Sequence, residues 1–220
     1  MRRISRAWLL AIAVAVMPSF LLKAVPFADD PEAWKGLTPE QIERVKKGEI
    51  VLLDKDTSEG GGDQKRMIEA AMIFDQPIEK AWSVIRQTEM QHRYLPDLDN
   101  CELVKRDGKG DLVDFHVKIA MFTIDYRINH HYDDANCHLW WHLDPGYENE
   151  MQRVDGFWKL YKIDDKKTLA RYGTWVEVIS IIPDFIMERL TKSNLPVNME
   201  AYYKNVQAGG TYTKPGFEGK

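Results

Sequence analysis

The sequence predicts an α+β fold: a curved antiparallel sheet of about seven strands wrapped around a long C-terminal helix, with two short helices after the first strand. Two observations carry this reading. Residues 102–180 are a succession of strand patterns broken by turn signals. In the clearest, Val113, Phe115, Val117, Ile119 and Met121 alternate with Asp114, His116 and Lys118, the period of a half-buried strand. The chain then runs strand (151–163), strand (168–180), helix. The helical pattern from Pro183 carries Ile182, Ile186 and Leu190 on one stripe, then Leu195, Met199, Tyr202 and Val206. A sheet with one apolar face and a helix with an apolar stripe bury both by packing together.

The earlier elements follow from local signals. Residues 29–36 are a polar lead-in. Thr38 is a helix cap, Pro39 suits the first helical position, and Gln41 completes a capping box; Gly48 ends that helix. Residues 49–54 form a short strand pattern. Gly60-Gly61-Gly62 reads as a flexible linker, because no Gly-Lys-Ser/Thr follows to make a phosphate cradle. After a strand at 67–74, Pro77 starts a helix with Ile78, Ala81, Trp82 and Ile85 at helical spacing. A second short helix at 88–94 stops before Pro96. Asp107-Gly108-Lys109-Gly110 and 133–136 are turns. A strand covers 124–132, another 137–143, and Gly156 marks a bulge or a close approach. Pro196 kinks or restarts the terminal helix. The domain therefore spans 65–208, behind an extension and linker at 29–64 and ahead of a tail at 209–220 expected to be disordered.

The first 28 residues differ in texture. Arg2, Arg3 and Arg6 precede an apolar run from 7 to 22, shorter than the roughly 20 residues that span a bilayer. This pattern predicts a secretory signal and an exported, periplasmic protein. The alternative is an uncleaved anchor through 7–22, since neither Ala24 nor Ala28 sits in a good cleavage context. Residues 1–28 hold four of the 30 basic residues and no acidic one, which leaves 26 basic against 34 acidic residues beyond them. That sign does not favour nucleic acid as a partner, and none is expected. Export places Cys101 and Cys137 in an oxidising setting. Their strands are not expected to be neighbours, so two free thiols are favoured over a disulfide.

Chemistry-bearing motifs are absent. His138 and His142 share a strand face but stand about 13 Å apart, too far for one ion, and His130 and His131 point to opposite faces. There is no HExxH, CxxC or GxSxG, hence no metal and no nucleophile elbow; no cofactor is called for. Asp114 and Asp125 fall on the polar face of their strands. The aromatic set is more telling. Phe115, Tyr126, Trp141, Trp158 and Tyr172 lie on successive strands, either as core or as walls of a cavity that one helix cannot fill.

Four segments resemble the START-like superfamily, in its polyketide cyclase/dehydrase and lipid-transport branch that includes coenzyme Q-binding START proteins. They are Phe74-Asp75-Gln76-Pro77-Ile78-Glu79-Lys80-Ala81-Trp82, Gly156-Phe157-Trp158-Lys159-Leu160, Thr168-Leu169-Ala170-Arg171-Tyr172, and Ile182-Pro183 before the last helix. The resemblance covers 68–206. It implies a helix-grip fold with a hydrophobic tunnel that binds or carries a small lipid-like ligand, with transient membrane contact. The walls would come from Phe115, Val117, Ile119 and Tyr126, from Trp141, Trp158, Leu160 and Tyr172, and from Ile186, Leu190, Met199 and Tyr202 of the helix. The alternative is a cyclase- or dehydratase-type enzyme with Arg171, Tyr126 or Tyr172 as its acid or base.

Overall fold

The computed structural model describes residues 25–55, 66–178, 186 and 194–218. The apolar start up to residue 24, the triple glycine, and the pattern from Pro183 to 193 apart from Ile186 lie outside them; Leu190 is among those.

Eight strands form one sheet: β1 (Val51–Lys55), β2 (Arg66–Phe74), β3 (Leu98–Asp107), β4 (Gly110–Ile119), β5 (Phe122–Asp133), β6 (His138–Leu143), β7 (Met151–Lys162) and β8 (Thr168–Val178). Their order is β1-β2-β8-β7-β6-β5-β4-β3, antiparallel throughout. The sheet is one strand wider than the seven expected, because β1 from the extension pairs along β2 from Val51–Ala71 to Lys55–Met67. Among the described residues three α-helices with stated bounds accompany it: α1 (Pro39–Lys46), α2 (Ile78–Ile85) and α3 (Leu195–Gln207). The capping box of α1 forms as its sequence dictates: Thr38 Oγ1 accepts from Gln41 N and the Gln41 side chain accepts from Thr38 N. The second short helix, Thr88–Arg93, is a 3-10 turn.

The inner face of the sheet packs on α2 and α3 through Phe74, Trp158, Leu160 and Ala170. All four stripe residues of α3, Leu195, Met199, Tyr202 and Val206, are buried. Pro196 stands in the first turn of α3, where a missing N–H removes no helical hydrogen bond. A second, smaller core lies on the outer face. There the extension lays Ala33 and Val45 against Ala71 and Ile73 of β2, Tyr161 of β7 and Leu169 of β8. β2 is thus buried on both faces, which explains its unbroken apolar run from Ala70 to Phe74.

Three local expectations change. Met121, read as the last inward residue of its strand, is 87% exposed at the tip of a two-residue hairpin. The turn was hidden because Ala120, not glycine, takes the left-handed conformation with φ 55°. Residues beyond α3 are bonded in place: Lys214 N donates to Arg93 O, and its ammonium donates to the carbonyls of Leu95 (3.0 Å) and Leu98 (2.6 Å). Arg171, a proposed acid or base, points to the outer face, where it donates to Ala33 O and Lys35 O. Cys101 and Cys137 are free and buried.

Candidate ligand cavity

A cavity of about 170 Å³ lies between the inner face of the sheet and the start of α3. Strand pairing explains its walls. Inward residues meet in cross-strand rows: Phe115 opposite Tyr126, Val117 opposite Ile124, and Asp111 opposite His130, which in turn faces Trp141. Phe115 and Tyr126 are stacked, centroids 5.4 Å apart and planes 3° from parallel. Trp141 lies against Tyr172 at 5.9 Å. Its indole also crosses Gly156: a Cβ there would fall 2.2 Å from Trp141 Cζ2. Gly156 is thus a close-approach glycine, and the tryptophan occupies the space a side chain would fill. Opposite the sheet, the wall comes from Leu95, Asp97 and Leu98 ahead of and within β3, and from Asn194, Leu195, Asn198 and Tyr202. Asn194 Nδ2 donates to the Asp97 carboxylate across this rim.

Of the residues the sequence proposes, Phe115, Val117, Tyr126, Trp141, Tyr172 and Tyr202 line the cavity. Ile119, Trp158, Leu160, Ile186 and Met199 are buried in the packed core instead. Trp158 is 2% exposed and enclosed by Tyr172 at 4.8 Å, Tyr202 at 5.1 Å and Phe74 at 6.4 Å. Burial pushes the Tyr172 hydroxyl up to about 12 and those of Tyr126 and Tyr202 higher, so all three are neutral donors and acceptors near neutral pH.

The polar end of the cavity escaped the sequence reading. His130 is 3% exposed, and its ring stands 6.0 Å from Phe115 and 6.3 Å from Trp141. Its Nδ1 is 2.8 Å from Asp111 Oδ1, an ion-pair distance although the ring N–H is not aligned for a hydrogen bond. Asp111 is itself held by Thr88 Oγ1 (3.0 Å), Arg106 (2.8 Å) and the Tyr132 hydroxyl. Arg106 is anchored in turn on Glu89. Burial alone would raise the Asp111 carboxyl; the His130 contact, the Tyr132 bond and Arg106 outweigh it and hold it at about 2. Burial lowers the His130 pKa below its ordinary value, and Asp111 pulls the other way. The signal for His130 was present: extending the inward set Ile124, Tyr126, Ile128 by two residues reaches it.

Among the described residues no cluster of His, Cys, Asp or Glu could hold a metal ion, and no helix is long and apolar enough to cross a membrane. Asp114 and Asp125 face outward, paired with Arg127 (2.9 Å) and His116 (2.8 Å).

Comparison with solved structures decides the architecture. The STAR-related lipid transfer protein of Xanthomonas axonopodis superposes with a TM-score of 0.61 over 72% of this chain and 93% of its own, at 14% identity. The fold is START-like. An aromatase/cyclase from a Streptomyces species gives 0.56 over 66% of this chain and 93% of its own, at 13% identity. A START superfamily protein of Mycobacterium smegmatis gives 0.53 over 64% and 97%, at 15% identity. No protein-family model and no curated protein matches the sequence. The START-like helix-grip architecture is thus carried by the sheet and α3, while the added edge strand β1 and the second core come from the extension.

Proposed function

We propose that this START-like protein binds or carries a small hydrophobic, lipid-like ligand in the cavity beneath α3, and that it acts after export. The cavity beneath α3, with its largely apolar wall, carries the reading. Its volume of about 170 Å³ suits one ring or a short acyl branch, since a cavity of about 150 Å³ holds benzene. A longer ligand needs the rim between Asp97 and Asn194 to part. The lipid transfer protein among the similar structures supports a carrier; the aromatase/cyclase keeps the enzyme alternative, for which Tyr126 and Tyr172 remain at the wall.

Export rests on the basic start and the apolar run. Lys162 N donates to Pro26 O at 2.7 Å and Ala28 N donates to Lys162 O at 2.8 Å. These bonds favour a chain that keeps residues 25–28, either cut after Ala24 or retained as an anchor. Native mass spectrometry of the purified protein, with organic extraction of whatever it carries, tests the ligand. An apolar adduct lost on extraction is expected. A ligand-free protein that also fails to take up a fluorescent fatty acid would overturn the carrier reading.

A further inference from the structure

The cavity wall is mostly apolar, with Gln91, Asp97, Thr174, Asn194 and Asn198 among its polar members and a buried histidine backed by a buried carboxylate. A histidine facing hydrocarbon is costly unless both ring nitrogens are satisfied. Nδ1 of His130 lies against Asp111. That Nδ1 makes no aligned hydrogen bond, and the ring forms part of the cavity wall. The Asp111 anion, fixed by Arg106, Thr88 and Tyr132, lies 2.8 Å from Nδ1 and by its charge favours the ring proton there, which leaves Nε2 as the acceptor. Nε2 then presents a lone pair towards the cavity. Phe115, stacked on Tyr126, flanks the His130 ring at 6.0 Å and Trp141 flanks it at 6.3 Å, so aromatic faces surround that nitrogen.

We infer that His130 is the polar anchor of the ligand site, accepting a hydrogen bond from a hydroxyl group carried on a small ring, so that the cavity selects hydroxylated rings of the phenol type over plain hydrocarbons of the same shape. The inference rests on the cavity being a ligand site and names the chemistry it selects. Selection is strong because an isostere without the hydroxyl leaves a buried acceptor unpaired. Asp111 acts through His130 and is a positioning residue.

The test is a matched pair of probes, p-cresol and p-xylene, which differ by a hydroxyl in place of a methyl. Calorimetric titration of the full chain should show p-cresol binding about tenfold more tightly, although p-xylene is the more hydrophobic. His130→Phe should remove that preference while p-xylene still binds. Equal affinities in the wild type would overturn the inference without any variant, and so would a preference that survives His130→Phe, which would move the acceptor to another wall group. If neither probe binds the wild type, the ligand-cavity reading itself falls. Asp111→Asn, which frees the ring to turn, should weaken p-cresol and spare p-xylene; an equal loss for both would mark Asp111 as merely structural and overturn its positioning role.

Discussion

The Arg171 guanidinium and the Glu69 carboxylate meet 3.1 Å apart beneath the N-terminal extension, each side chain less than a tenth exposed. The same guanidinium donates to the carbonyls of Ala33 and Lys35, so one buried cation ties the extension to the back of the sheet. Replacing Arg171 by Ala takes the guanidinium away from a buried carboxylate and two carbonyls, and should cost about 3–5 kcal/mol. Arg171→Met combined with Glu69→Leu should cost clearly less, since both members of the pair are removed together. Urea denaturation of the three proteins measures this; equal losses in the single and double variants would show that the extension is held mainly by its apolar contacts.

Trp158 and Trp141 should separate core from cavity. Trp158 is packed on all sides, so Trp158→Ala should lower stability by about 3–5 kcal/mol. Trp141 lines the cavity and is only partly buried, so Trp141→Ala should cost less than half as much and should weaken uptake of a fluorescent fatty acid. Denaturation and binding on both variants check the contrast, and a reversed order would place the wall on the other tryptophan.

Gly156→Ala should act through Trp141. The new methyl would collide with the indole and with Gly173 O, 2.5 Å away. The indole cannot stay where it is, so the variant should bind ligand poorly while keeping its secondary structure. Tryptophan fluorescence and far-UV circular dichroism read the two effects separately.

Stability should fall on acidification. Asp111 is held at about 2 in the fold, below its ordinary value of 3.8. Its contribution is therefore full above pH 4 and is lost as pH falls towards 2, a loss of about 2 kcal/mol. His130 has a folded pKa below 6.5, so the unfolded chain takes up its proton first and stability also declines as pH drops through 6. Both act in the same direction. Melting temperatures of the wild type should decline from pH 7 to pH 3, and a flat profile would remove this account.

N-terminal sequencing of the protein recovered from the periplasm should begin at Val25, or the full-length chain should be found in the inner membrane. A mature chain that begins at Asp29 would lack Pro26 and Ala28 and with them the bonds to Lys162. Full-length protein free in the cytoplasm would remove the export reading.

The sheet was readable because alternation survives wherever one face is wet: β4 and β5 each set apolar residues opposite charged ones. It fails on β8, where the extension covers the back. Leu169 and Arg171 face outward while Ala170 and Tyr172 face inward, and all of Leu169, Ala170 and Arg171 are buried. Parity alone could not say which side Arg171 takes. Aromatic residues announced the cavity, but size did not say which ring fills the core and which lines a space; that depends on how much of the inner face α3 reaches. His130 was passed over because a histidine in an apolar row breaks the pattern by which such rows are found, and its partner Asp111 lies 19 positions earlier on another strand.

The three carbonyls that Lys214 engages, on Leu95, Pro96 and Leu98, bracket Asp97 at the cavity rim. The entrance is therefore governed partly by a residue that lies beyond α3 and touches no ligand. A chain trimmed after Gly210 would keep every wall residue and every strand, yet trade ligand faster. On the proposed function, the cavity walls would set affinity, while residence time would be tuned from the far end of the polypeptide, where a fused tag or a truncation should alter the kinetics and leave the equilibrium fold intact.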